Sequence, residues 1–200
     1  MTKTSGGKGQ GFGSLWHLAI RFLGALAPFG PKQASERWAL DQLSPRERSL
    51  FTAMSGPDRR HAIGVAHRAL HLAASDRSIP MAQAVTLPPG FVAAALLHDV
   101  GKIEARLGTF GRVFATVAAL AIGRDQVVTW DHPSNPSGRL PRQKAKMARY
   151  LRHDSIGADL LEQASSEPFT VSWARDHHLP EQRWTVDGRL GGYLKEADGD

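Results

Sequence analysis

Apolar residues recur along this chain at spacings of three and four, and no convincing stretch alternates apolar and polar as a half-buried strand does. Leu15, Ala19, Phe22, Leu23 and Leu26 predict an amphipathic helix that Pro28 closes. Ser44-Pro45-Arg46-Glu47 reads as a capping box with proline at the first helical position. Gly56-Pro57-Asp58 breaks the chain, and a helix with Asp58 as its cap is expected to run to about residue 74. Pro88-Pro89-Gly90 opens a short apolar helix, residues 91–97, that delivers His98-Asp99. An Ala- and Val-rich helix follows over 109–122, and three prolines and a glycine predict a loop over 131–141. Further helices are expected near 142–152, 155–164, 168–176 and 188–197. There is no internal repeat. The expected fold is all-α: one helical bundle over 36–200, with its functional residues at helix ends.

Residues 1–35 stand apart. They carry Lys3, Lys8, Arg21 and Lys32 with no acid before Glu36, and the first dozen are Gly-rich and expected to be disordered. The amphipathic helix in this segment is expected to pack on the domain core; peripheral contact with a membrane or partner is the alternative. No apolar run is long enough for a membrane span. Arg21 and Pro28 spoil a signal peptide, so a cytoplasmic protein is expected.

Two hundred residues with 42% hydrophobic content can bury the core of one domain. The chain has no cysteine, which excludes disulfides, thiolate zinc sites and thiol nucleophiles. Any metal must therefore be held by imidazole and carboxylate. With 25 Lys and Arg against 19 Asp and Glu, the formal charge of +6 favours anionic partners without choosing among them. Nothing in the sequence sets an oligomeric state.

Nine histidines are present, and placement separates them. A buried-looking helix gains nothing by ending in His98-Asp99 unless those groups find partners, because burying them unpaired is costly. Gly101 permits a turn after them, and Lys102 adds a nearby cation. His67 and His71, on another face from His61, read as surface or core-edge residues; His17 and His132 fall in the amphipathic helix and the proline loop. Trp130 and Trp184 read as packing residues rather than pocket walls. Gly6-Gly7-Lys8-Gly9 follows no strand and opens no phosphate loop.

Five segments, taken in order, resemble the HD-domain metal-dependent phosphohydrolase superfamily. Arg60-His61-Ala62-Ile63-Gly64-Val65-Ala66 is similar to the helix that supplies its first histidine. Leu96-Leu97-His98-Asp99-Val100-Gly101-Lys102 resembles the defining His-Asp element. His153-Asp154-Ser155-Ile156-Gly157-Ala158 and Ala174-Arg175-Asp176-His177-His178 resemble the later histidines of binuclear members. Leu194-Lys195-Glu196-Ala197-Asp198 resembles the closing Ala-Asp. The resemblance covers residues 58–198.

It implies a helical metal site of one or two divalent ions, drawn from Mn, Fe, Co, Ni, Zn or Mg. His61, His98, Asp99 and Asp198 would hold one ion. If Asp99 bridges, His153, His177 and His178 would hold a second, and the pair would generate a hydroxide near neutral pH. His177 and His178 can serve one ion only if their helix ends there, as Pro180 suggests. Lys102 would bind phosphate or stabilise the departing oxyanion. The expected activity is hydrolysis of a phosphate ester, nucleotide-like, by a phosphohydrolase or phosphodiesterase. Leu179-Pro180-Glu181 replaces the signature of the HD-GYP branch, which argues against cyclic-di-GMP. The long spacing from His98 to His153 reads as a substrate-shaping insert.

Within that insert, the segment 139–152 carries Arg139, Arg142, Lys144, Lys146, Arg149 and Arg152 and no acid. On one continuous helix, Arg142, Lys146 and Arg149 would share a face with His153 and aim a cationic row at the metal, suiting a polyanionic substrate. Three alternatives remain open. The same ligand types serve HD-type di-iron oxygenases, which need redox-active iron. A non-catalytic HD module would bind a nucleotide or partner. The basic row could instead bind nucleic acid with steep salt dependence.

Overall fold

Residues 30–76, 86–105, 107, 115, 118, 119, 122–131 and 139–199 are described by the computed structural model, and every regular element among them is helical. The all-α expectation holds. The amphipathic helix expected before Pro28, His132 and most of the Ala-rich helix expected over 109–122 lie outside the described residues.

Helix α1 spans Gln33–Asp41 and α2 spans Pro45–Ala53. The capping box at α2 forms as expected: Ser44 Oγ accepts from Glu47 N at 3.4 Å and Ser44 N donates to Glu47 Oε2 at 2.9 Å. Helix α3, Gly56–Ser75, is capped by Ser55 and not by Asp58. Ser55 Oγ accepts from Asp58 N at 3.3 Å and donates to Asp58 Oδ2 at 2.6 Å, so Asp58 reaches back to the cap from the first turn. The buried face of α3 is made mostly of small residues, Ala62, Ala66, Ala69 and Ala73 with Ile63 and Val65, which lets neighbouring helices come close.

Helix α4, Phe91–Leu97, is the centre of the bundle. All its residues but Val92 are buried, as a helix without a polar face must be. It packs against α3 and against α9, Pro168–Asp176. Gly90 caps it in the left-handed conformation (φ 84°), and Gly90 O accepts from Thr170 Oγ1 of α9 at 3.0 Å. A short helix α5, Lys102–Ala105, follows the His-Asp turn.

The insert builds its own small cluster. Helix α6, Arg124–Val128, runs into a 3-10 turn at Thr129–Asp131, and both pack on α7, Arg139–Leu151. Ala105, Leu107, Ala115, Val127, Met147 and Leu151 are buried together, with Trp130 and Tyr150 against them. Helix α7 begins earlier than expected, taking in residues 139–141 that the proline content assigned to a loop. Pro141 falls in its first turn, where a missing N–H costs nothing.

Helix α8, His153–Gln163, lies along α9, and α10, Gly188–Asp198, lies along α3. Gly101 marks where the His-Asp turn meets α8. Its φ is not left-handed, so the turn does not require glycine; the approach does. A Cβ on Gly101 would stand 2.0 Å from His153 O and 2.6 Å from Gly157 N. Both neighbours are backbone, so neither can swing aside.

Gly101→Ala is therefore expected to destabilise the protein by about 1–3 kcal/mol or more, through overpacking that no rotamer relieves. Gly192, within α10, is the control, because a Cβ there would meet nothing within 4 Å. Gly192→Ala should leave stability unchanged or raise it by up to about 1 kcal/mol. Thermal denaturation of the two variants side by side checks both, and equal melting temperatures would refute the packing argument.

Candidate metal centre

Helix ends bring the histidines together, and the backbone aims them. His98 Nδ1 lies 3.0 Å from Ala95 O, His153 Nδ1 lies 2.6 Å from Tyr150 O, and His177 Nδ1 lies 2.9 Å from Ala174 O. In each case the partner is the carbonyl three residues earlier. A carbonyl can only accept, so each Nδ1 carries the proton and each Nε2 keeps a lone pair. This arrangement orients imidazole for metal binding through Nε2.

The Nε2 atoms of His98 and His177 are buried without a hydrogen-bond partner. Leaving two such acceptors bare costs free energy that a bound cation would recover. His153 Nε2 faces Asp99 Oδ1 at 3.2 Å and His178 Nε2 at 3.0 Å. Acceptors facing one another at these distances need a proton or a metal ion between them. The donor set thus fits a divalent ion on the geometry of the chain alone.

Asp99 is the shared member. Its carboxylate groups with His153, His177 and His178, and again with His61 and His98; within each group the ligand atoms lie within 4.8 Å of one another. Asp198 joins the second group, with Oδ1 2.8 Å from His61 Nε2 and 3.7 Å from His98 Nε2. All seven residues expected to be ligands, His61, His98, Asp99, His153, His177, His178 and Asp198, are brought together from α3, α4, α8, α9 and α10 and the turns that follow α4 and α9.

The condition placed on the adjacent pair is met. Helix α9 ends at Asp176, so His177 and His178 both turn toward the centre. Four hydrogen bonds without any signal in the sequence hold this end in place. Buried Asp176 accepts from Thr185 N at 2.5 Å and from Thr185 Oγ1 at 2.6 Å. Lys195 Nζ donates to His177 O at 3.0 Å, and Trp184 Nε1 donates to Leu179 O at 2.9 Å. No local pattern marks Thr185 or Lys195; Thr185 matters because the turn before α10 returns to Asp176, and Lys195 because α10 carries it to the His177 carbonyl. Trp184 packs edge-on against Trp173, at 5.4 Å between ring centres, so it is a packing residue.

Electrostatics favours charged Asp99 and Asp198 and neutral His177 and His178. Burial alone would raise the Asp99 pKa, but Lys102, His98 and His153 overcome it and hold the carboxyl well below its usual range. Burial also works against Asp198, and His98 and His61 again prevail, keeping it ionised. His177 is pushed well below the usual imidazole value by burial, then by His178, His98 and His153. His178 is pushed the same way by burial and His153, but as the exposed member of the set it is softened by solvent. Burial works against the Lys102 ammonium, and Asp99, Tyr150 and Asp58 more than restore it. Lys102 Nζ contacts Asp99 Oδ2 directly and lies 5.9 Å from the centre of the Tyr150 ring.

The cationic row does not align as expected. Helix α7 stops at Leu151, Arg152 leaves helical geometry (φ −104°, ψ 15°), and His153 starts a new helix. The single register joining Arg142, Lys146 and Arg149 to His153 is therefore broken. Arg142 and Arg149 are exposed and Lys146 is half-buried. His67 and His71 are exposed, with His67 stacked on Trp38 at 4.0 Å between ring centres, as non-ligands would be.

Comparison with family models, curated proteins and solved structures returns no match for this chain.

Two outcomes test this geometry. Asp99→Asn should remove metal from both ligand groups, because their common carboxylate loses its charge; normal metal content by elemental analysis would contradict the shared role. In the metal-free protein, folded His177 binds a proton less readily than unfolded His177. Stability should therefore fall as pH drops below about 6.5. Asp99 and Asp198 stabilise the fold above about pH 4, and that share is lost as pH falls further. Melting temperatures recorded in chelator from about pH 8 to 4 should decline throughout the acid half. A flat profile would show that these groups are not perturbed.

Proposed function

We propose that this chain is a metal-dependent phosphohydrolase or phosphodiesterase of the HD type, acting on a phosphate ester with a nucleotide-like organic group. The observation that carries this reading is Asp99, a buried carboxylate common to two groups of metal-capable side chains, with bare Nε2 atoms of His98 and His177 in its surroundings. His61, His98, Asp99 and Asp198 are the residues that would hold one ion, and Asp99, His153, His177 and His178 a second. Bound divalent ions supply Lewis acidity toward a phosphoryl oxygen and lower the pKa of water, the two things phosphate ester hydrolysis needs at neutral pH.

The chain's own residues complete the argument. Carbonyls of Ala95, Tyr150 and Ala174 keep three imidazoles in the tautomer that leaves Nε2 free. Lys102 stays protonated beside Asp99, where an ammonium can accept the charge of a phosphate group. Among the described residues, no helix is long and apolar enough to cross a membrane.

The test is metal analysis of the purified protein, followed by phosphatase and phosphodiesterase substrates assayed with each divalent ion in turn. Hydrolysis supported by Mn or Co as well as Fe is expected, and would exclude an oxygenase; inactivity toward every ester with every ion would sink the proposal. Lys102→Ala should lower kcat by about 10²–10³ with metal still bound, and full activity would remove it from the mechanism. His153→Ala should reduce bound metal from two ions toward one.

A further inference from the structure

Helix α9 ends on a residue that its own helix does not favour. Asp176 is the last residue of α9 and is buried. An acidic side chain in the last turn faces the negative end of the helix dipole, so α9 gains no stability from it. Its carboxylate serves a residue nine positions on, accepting from Thr185 N at 2.5 Å and from Thr185 Oγ1 at 2.6 Å. These two bonds close residues 177–184 into a loop that begins with His177 and His178. The loop is fastened internally as well: Leu179 N donates to Asp176 O at 2.7 Å, and Trp184 Nε1 donates to Leu179 O at 2.9 Å. The Trp184 ring fills the space that a side chain at Gly191 would need, since a Cβ there would stand 2.7 Å from Trp184 Cε3.

The histidines of the cluster differ in what orients them. His98, His153 and His177 each hold Nδ1 on the carbonyl three residues back. For His178 the hydrogen-bond partner among the described residues is His153 Nε2 at 3.0 Å, itself a member of the cluster. His178 is also the exposed member, so packing restrains it least and the loop that carries it sets its place. Resting on the reading of the cluster as a two-ion site, we infer that Asp176 and Thr185 are positioning residues for His177 and His178. Through Asp176, Thr185 sets the affinity of one ligand group, Asp99, His153, His177 and His178, and not that of the other. His61 and Asp198 belong to α3 and α10, and His98 follows α4, so none of the three rides on the closed loop. Residues that orient metal ligands from behind typically change metal affinity by about 10–100-fold. Thr185 is exposed, so its side chain can be altered without opening the core.

The test uses the full chain freed of metal by chelator, with Co²⁺ as the probe and two readouts. Calorimetric titration should show two binding events in the unaltered protein. Thr185→Val, which removes the hydroxyl donor, should weaken one event by about 10–100-fold and leave the other unchanged. Thr185→Ala removes the same donor with less bulk and should behave alike, whereas Thr185→Ser keeps the donor and should match the unaltered protein. The second readout needs no metal: in NMR spectra of the histidine rings, Thr185→Val should move the His177 and His178 resonances and leave His61 in place. Circular dichroism of each variant should stay unchanged. Equal weakening of both events would indicate general loosening and overturn the assignment. Two Co²⁺ ions bound with unaltered affinity by Thr185→Val would overturn it too, while leaving the two-ion reading intact. Uptake of a single ion by the unaltered protein, with His177 and His178 resonances still moved by Thr185→Val, would keep the positioning role and refute the two-ion reading.

Discussion

A carboxylate that remains charged while buried is the constraint around which this protein is organised. Asp99 loses its hydration at the end of the central helix, and the cost of that loss must be met by cations and dipoles from elsewhere in the chain. Lys102 is the nearest, three residues on. His153 and His177 come from α8 and from the end of α9, and His98 from the preceding residue. The helices must therefore cross so that their ends, rather than their middles, meet at one point. The surrounding core serves this arrangement: small residues on α3 and an all-apolar α4 let helix ends approach without intervening side chains.

The contact at Gly101 shows how little freedom that arrangement leaves. The turn after Asp99 lies directly on the His153 carbonyl and the Gly157 amide. The same contact that positions His153 near Asp99 also removes room for any side chain at residue 101. At the other side of the cluster, Asp176, Thr185 and Lys195 hold the end of α9, where His177 and His178 leave the helix. Backbone carbonyls then settle the ring orientations. Three histidines use the same device, Nδ1 to the carbonyl three residues back, so their Nε2 atoms converge without help from other side chains.

Charge has a different distribution from the one composition suggests. A formal charge of +6 and a set of six basic residues over 139–152 favour an anionic partner, yet among the described residues that line a cavity at Lys102 the other charged groups are Asp58 and Glu104. Net charge describes long-range attraction, whereas selectivity at a site is set by the few groups within a Debye length and shielded from water. The two can differ in one molecule because they act at different distances.

The sequence by itself determined the helical class, the capping box at Ser44, the extent of α4 and α9, and which histidines and aspartates gather. The helices and the cap follow from local periodicity and capping chemistry, and the need of His98 and Asp99 for partners from the cost of burying them unpaired; the other members of the set, His61, His153, His177, His178 and Asp198, were implied by the resemblance of five segments to HD-domain phosphohydrolases. Other features were decided only in three dimensions. Ser55 rather than Asp58 caps α3, because the cap depends on where the chain enters the helix. Helix α7 takes in Pro141 and stops before His153, since packing on α5 and α6 outweighs local proline content. Gly101 is required by an approach to α8 that lies some fifty residues away in sequence, about the separation of Gly101 and His153. Thr185 and Lys195 acquire their roles only when the turn before α10 returns to Asp176 and α10 brings its lysine to the His177 carbonyl. Local rules act within a few residues; the orientation of a ring or the closeness of two backbones is set by whichever distant element the fold brings against them.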